Sequence, residues 1–256
     1  MSQLFIFILF VLGMCLGSFI LVVGQRLPLN QNILNDRSKC DSCHKDLKWW
    51  MLIPFFSYVF LRGKCHYCHQ RISILNPLIE ICSGTLFVIS YLLDGISYEF
   101  FMHLIIICLM LVIFVSDFKY YIILDSPLVI SIILIIILQL IYLDGKTLLF
   151  NLISGIVLFI TMYLIKLLGD KMFKRESLGG GDIKFSFIIG LVMGFRLGLV
   201  VLILSTFLAL PYCCASLMLK KNNEVPYGPF LVASLFIVFT FYNKFVSLLD
   251  LILISL

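Results

Sequence analysis

The chain has 256 residues, of which 62% are hydrophobic and only 13% charged, where an ordinary soluble domain carries roughly 25% charged residues. This excludes a water-soluble globular enzyme, and the net charge of +5 is clumped rather than spread. The apolar stretches are continuous, not alternating, so they predict helices that satisfy their own backbone in lipid rather than a barrel.

Eight spans are predicted in chain order, at about 4–24, 73–93, 98–116, 122–143, 147–168, 183–195, 197–219 and 228–249, the sixth of them short. The expected fold is an all-α polytopic membrane protein. It divides into a first span (1–24), a polar loop (25–72) and a multi-span membrane domain (73–256). No Lys or Arg precedes the first apolar run. It therefore lacks the basic start of a secretory signal and is read as an uncleaved span with its N-terminus outside. Asp94-Gly95 and Asp144-Gly145 are read as tight turns.

The basic residues set the orientation. With the N-terminus outside, the cytosolic side receives residues 25–72, the 117–121 turn, the 169–182 loop and the 220–227 loop. Sixteen of the nineteen Lys and Arg then fall inside, and only Lys146, Arg196 and Lys244 outside. Insertion and contact with anionic inner-leaflet lipid account for the positive charge, so no nucleic-acid partner is expected.

The polar loop holds Cys40-x-x-Cys43 and Cys65-x-x-Cys68. Two such turns can complete a tetrahedron of thiolates around zinc, or they can form two disulfides. The cytosolic placement favours reduced thiols and zinc. Four thiolates fill the shell, so the zinc is expected to be structural and to fold a loop too small for its own core. His44, His66 and His69 are read as bystanders. Cys15, Cys82, Cys108, Cys213 and Cys214 are read as small buried hydrophobes.

Glu80, Asp117, Asp125 and Asp182 lie in or at the ends of apolar spans, where an ionisable group is costly and a functional candidate. Asp117 ends the third predicted span and Asp182 opens the sixth, both at the cytosolic border. Two carboxylates at one depth can share a proton, one activating water while the other polarises a carbonyl. Gly179, Gly180 and Gly181 before Asp182 would let an extended peptide approach. The alternative for Asp182 is a helix cap, and Asp125 is the runner-up for the first acid. Glu80 is expected to pair with Arg71 or a loop lysine, and Lys184 to snorkel to the interface.

These residues resemble the type IV prepilin peptidases, the membrane aspartic proteases of the GxGD type, over nearly the whole chain. The resemblance rests on six motifs in order. They are Gly17-Ser18-Phe19 with Arg26-Leu27-Pro28; the two cysteine pairs; the loop-to-span stretch from Ser57-Tyr58 through Leu61-Arg62-Gly63-Lys64 to Pro77 and Glu80; Asp117 to Asp125; Gly179-Gly180-Gly181-Asp182-Ile183-Lys184; and Pro226-Tyr227-Gly228-Pro229, similar to the family's PFGP. Leu124 stands where the family has Pro before the second Asp, and Asn76 where an aromatic is common. The resemblance implies Asp117 and Asp182 as the catalytic pair, with prepilins or pseudopilins as substrates of a pilus, secretion or competence system. It implies a multi-pass protein of the bacterial inner membrane. The four cysteines imply the bifunctional form that also N-methylates the new N-terminus from S-adenosylmethionine, although no Rossmann-type glycine loop is present. Two other readings remain: an ion- or proton-coupled transporter, and a zinc-containing membrane scaffold. Transport sites tend towards the midplane, whereas these acids are expected at one border.

Overall fold

The structure is a computed structural model that describes residues 2–33, 37–40, 42–174, 176–218 and 225–254. Arg175, Lys220 and Lys221, which enter the charge bias, lie outside the described residues. Among the described residues there are helices and two isolated bridges but no strand. Among the described residues six helices are long and apolar enough to cross a membrane, or seven counting a bent pair as one span. The chain forms two compact units, residues 1–100 and 101–256.

In the first unit, α1 (Ser2–Arg26) packs along α3 (Leu75–Asp94). Small residues at the crossing let the backbones approach. A Cβ on Gly13 would come within 2.7 Å of Gly84 Cα, and one on Gly17 within 2.8 Å of Ser83 Cβ. The polar loop contains two 3-10 turns and the short α2 (Phe56–Phe60).

The second unit contains all but the first turn of α4 (Tyr98–Tyr120), with α5 (Asp125–Tyr142), α6 (Gly145–Phe173), α7 (Gly180–Met218), α8 (Gly228–Thr240) and α9 (Tyr242–Ile254). Its core lines α4, α7 and α8, where Ile106, Ile188, Val201 and Leu231 are fully buried. Asp144 caps α6 by accepting the Thr147 N–H at 3.4 Å.

The two predicted spans 183–195 and 197–219 are limbs of α7. A straight helix of its 39 residues would run about 58 Å, nearly twice a hydrocarbon core. It breaks at Gly194, whose φ of 69° and ψ of −178° are open to glycine alone. Contacts on either side show the chain reversing. Gly190 packs on Ser154 and Gly155 of α6, Gly198 on Leu158, and Ser205 reaches Tyr227 just before α8. The break is held from outside. Helix ends leave carbonyls without partners, and buried Gln139 of α5 donates to Leu191 O at 2.8 Å.

The predicted span 228–249 is not one straight helix. α8 and α9 meet at 86°. α9 carries the polar residues Asn243, Lys244 and Asp250, which the bend turns off the axis of α8. Asp250 instead lies 3.5 Å from Arg196, placing α9 across the Gly194 end of the unit.

Candidate active site and candidate metal centre

Asp117 lies one turn before the end of α4, and Asp182 in the first turn of α7. Both are buried, at 5% and 7% exposure, and they are close enough to interact electrostatically. Ile123, between α4 and α5, fills the space beside both: added Cβ atoms on Gly181 and Gly228 would each run into it, at 2.5 and 2.8 Å.

Each carboxylate has a defined backbone partner. Asp117 Oδ2 accepts the Gly228 N–H at 3.0 Å. A donor at the start of α8 also brings the positive end of a helix to bear on that oxygen. Asp182 takes the Gly179 N–H in the manner of a capping box, where the third helical residue reaches back to the cap. That contact leaves Asp182 Oδ1 buried and without a hydrogen-bond partner among the described residues. One end of the carboxylate thus caps a helix, and the other is free to serve a ligand.

Asp125 stands apart. It is the first residue of α5 and pairs with Lys184 at 2.6 Å, with the two side chains 66% and 51% exposed. Lys184 follows Asp182 by two helical positions, so its side chain leaves α7 on nearly the opposite side. Gly180 meets nothing within 4 Å of a built Cβ, whereas the Cβ on Gly179 would sit 3.0 Å from Asp182 Oδ2.

The thiols of Cys40, Cys43, Cys65 and Cys68 lie within 4.8 Å of one another, and all are free of disulfides. Cys40 Sγ and Cys68 Sγ are 3.8 Å apart. Zn–S bonds of about 2.3 Å in a tetrahedron imply S···S edges of about 3.8 Å, so the cluster fits zinc. Two matching turns build it. In each, the first Cys N–H reaches the carbonyl five residues on (Cys40 to Lys45, Cys65 to Gln70), and a histidine four residues on donates back to the Cys carbonyl. These histidines, His44 and His69, have φ of 55° and 56°. They occupy the left-handed corner of the turn, a conformation His tolerates better than most. Backbone N–H groups, that of Cys68 first, outweigh burial and lower the Cys65 thiol, while bonds from its neighbouring thiols help raise Cys68, so the cluster gives up its first proton at Cys65. A low thiol is a ready thiolate ligand.

Glu80 takes no cation among the described residues. Its Oε2 accepts the Phe55 N–H at 2.7 Å, and Ser18 bonds it as well. Phe55 has φ 58° and ψ −52°, outside the ordinary left-handed well. Glu80 therefore anchors a strained point of the loop onto α3. Beside it a cavity of about 270 Å³ is lined by Ser18, Arg26, Tyr58, Arg71 and Glu80.

Residues 11–93 match the bacterial peptidase A24 N-terminal domain, and residues 104–214 match the type IV leader peptidase family. The chain belongs to the type IV leader peptidase family. Relatives named prepilin leader peptidase/N-methyltransferase cover most of it. The one from Bacillus subtilis is 29% identical over 94% of this chain and 96% of its own. The one from Vibrio cholerae is 27% identical over 93% and 98%. The one from Myxococcus xanthus is 34% identical over 80% of this chain and 61% of its own. No solved structure matches. Asp117 and Asp182 fall inside the family match. Tyr227 and Gly228 lie beyond it, yet Gly228 is the residue that bonds Asp117.

Proposed function

We propose that the protein is an intramembrane aspartic endopeptidase that cleaves the leader peptide of type IV prepilins or pseudopilins. Asp117 and Asp182 form the catalytic pair. The observation that carries this reading is two buried carboxylates within electrostatic contact, each held at one oxygen by a backbone N–H.

A substrate places its hydrophobic helix in the bilayer and its basic leader in the cytosol, bringing the scissile bond level with the two acids. One proton is shared by the pair, because two adjacent buried carboxylates do not both ionise. The ionised member removes a proton from water as it attacks the scissile carbonyl, and the protonated member stabilises the developing oxyanion. The pair then returns a proton to the leaving amine, so no covalent enzyme intermediate forms. Gly179 to Gly181 border the approach of the peptide to Asp182.

The zinc loop faces the cytosol, the N-terminus lies outside, and the inner membrane of a bacterium holds the chain. Cys40, Cys43, Cys65 and Cys68 bind one structural zinc that folds the loop. The relatives' second activity, N-methylation, is placed at the cavity of the first unit. Its carboxylate and hydroxyl groups at Glu80, Ser18 and Tyr58 suit a nucleoside and an amine. S-adenosylmethionine, when bound, supplies the methyl group. Glu80 and Tyr58 would hold the acceptor amine, and Glu80 would carry its proton.

Purified protein in detergent, offered a panel of prepilin-type leaders, tests the reading. Cleavage at a single bond that is lost in both Asp117→Asn and Asp182→Asn supports it. Cleavage retained in both variants ends the aspartic peptidase assignment. No cleavage by the wild type returns the transporter and scaffold readings.

A further inference from the structure

Ser205 Oγ donates to Leu202 O at 2.7 Å and lies 2.6 Å from Tyr227 Oη. A serine hydroxyl has one proton. With that proton on Leu202, the bond between the two hydroxyls runs from Tyr227 to Ser205. The phenol proton is thereby committed, and the phenol oxygen keeps only acceptor lone pairs. Burial, opposed by the Ser205 bond and reinforced by the charge of Asp182, holds the phenol above its ordinary pKa. It is a neutral acceptor, not a base.

Ser205 holds this oxygen, and the backbone beside it is tied to the site. Gly228, the next residue, bonds Asp117. Across the site, Asp182 Oδ1 is buried and has no hydrogen-bond partner among the described residues, so the phenol stands near the acid without satisfying it. An extended peptide entering this space presents carbonyls and N–H groups in alternation. The acids take the scissile carbonyl. The neighbouring N–H then needs an acceptor, since a buried unpaired amide is costly. The helix starts at Gly180 and Gly228 offer donors, not acceptors. The PFGP signature that this segment resembles has phenylalanine here, which has no such group.

Building on the peptidase reading, we propose that Tyr227 Oη is a substrate-binding acceptor for a backbone N–H of the peptide next to the scissile bond. Ser205 is the positioning residue that fixes the direction of the phenol proton.

The experiment uses the full chain in detergent and leader peptides in which each amide flanking the scissile bond is replaced, one at a time, by an ester. An ester keeps the shape and removes the N–H. In the wild type, one flanking ester raises KM about fivefold, the worth of one neutral hydrogen bond. Tyr227→Phe raises KM of the all-amide peptide by a similar factor, with kcat changed less, and is indifferent to that ester. Ser205→Ala keeps the ring but frees the phenol proton, which blunts the ester penalty. It carries the test if Tyr227→Phe does not fold. Equal ester penalties in the wild type and the folded variant overturn the inference and leave the peptidase reading intact. A wild type that cleaves no leader overturns both.

Discussion

Gly228 has no side chain, and an alanine there measures how tightly Asp117 must be held. The added methyl would stand 2.9 Å from Asp117 Oδ2, 2.8 Å from Ile123 Cδ1 and 2.9 Å from Ile113 Cγ2. Ordinary contact begins near 3.4 Å, so the start of α8 and the carboxylate must separate by about 0.5 Å or the carboxylate must turn away. Ile113 is 1% exposed and has no room to yield. A separation of that size stretches the 3.0 Å Gly228 bond to the edge of hydrogen-bonding distance. Displacements of about 1 Å at a reacting group cost on the order of a hundredfold, so Gly228→Ala is expected to lower kcat about ten- to a hundredfold, with KM changed less. Gly145→Ala, at the start of α6, is the control, because a methyl there meets nothing within 4 Å and is expected to leave the fold and both acids in place. The assay is steady-state cleavage of a fluorogenic leader peptide in detergent. Zinc content and thermal unfolding show that each variant is folded. A folded Gly228→Ala enzyme with wild-type kcat would refute the idea that this contact positions Asp117.

Asp117→Asn and Asp182→Asn are each expected to abolish cleavage while the chain still inserts, and the double variant to be no worse than either, because the proposed catalytic pair would act as a unit; an additive loss would separate them. Asp125→Asn is expected to retain activity and to cost at most about 1 kcal/mol, since it breaks only an exposed pair with Lys184. A dead Asp125→Asn beside an active Asp117→Asn would reassign the first acid. Metal analysis of purified protein is expected to find about one zinc per chain, and Cys43→Ser to lower stability and methylation while sparing some cleavage; metal-free protein with disulfides within the pairs would remove the zinc. A reporter after Arg37 is expected in the cytosol and one after Asp144 outside, and the reverse pattern would invert the orientation.

The acids were legible because an ionisable residue inside an apolar run has few structural reasons to be there. The cysteine pairs were legible because spacing alone sets what one metal can gather. The donors that hold those acids were not. Gly228 acts through a backbone N–H, and no side chain advertises it. Gln139 was the one amide in the apolar run from 127 to 141, a signal of the same kind as the acids, but its role depends on a break in another helix. The bend between α8 and α9 left a trace too, in Asn243 and Lys244 within a segment otherwise apolar enough to be read as one span. Glu80 was found as a buried acid but expected to seek a cation. Its partner is Phe55 N–H, because a strained turn leaves a donor that a carboxylate satisfies more strongly than a neutral group would.

The Gly194 break gives the site its depth. Asp182 opens the first limb of α7, and only a reversal brings the second limb back far enough for Ser205 to meet Tyr227 beside it. Without the reversal, an unbroken α7 would carry Ser205 about 35 Å from Asp182 along the axis, and the second limb would not line the pair. The break is costly in lipid, where each freed carbonyl lacks water. Gln139 offsets that cost at Leu191 O from a helix that makes no direct contribution to the acids. The proposed chemistry at Asp182 is therefore tied to a buried amide near the far end of the limb. A Gln139→Leu variant, similar in size but unable to donate, separates the two ideas. If the break only shapes the fold, activity and thermal stability fall together. If it sets the register of the limbs, kcat falls while stability changes by no more than the roughly 1–3 kcal/mol of one unsatisfied carbonyl.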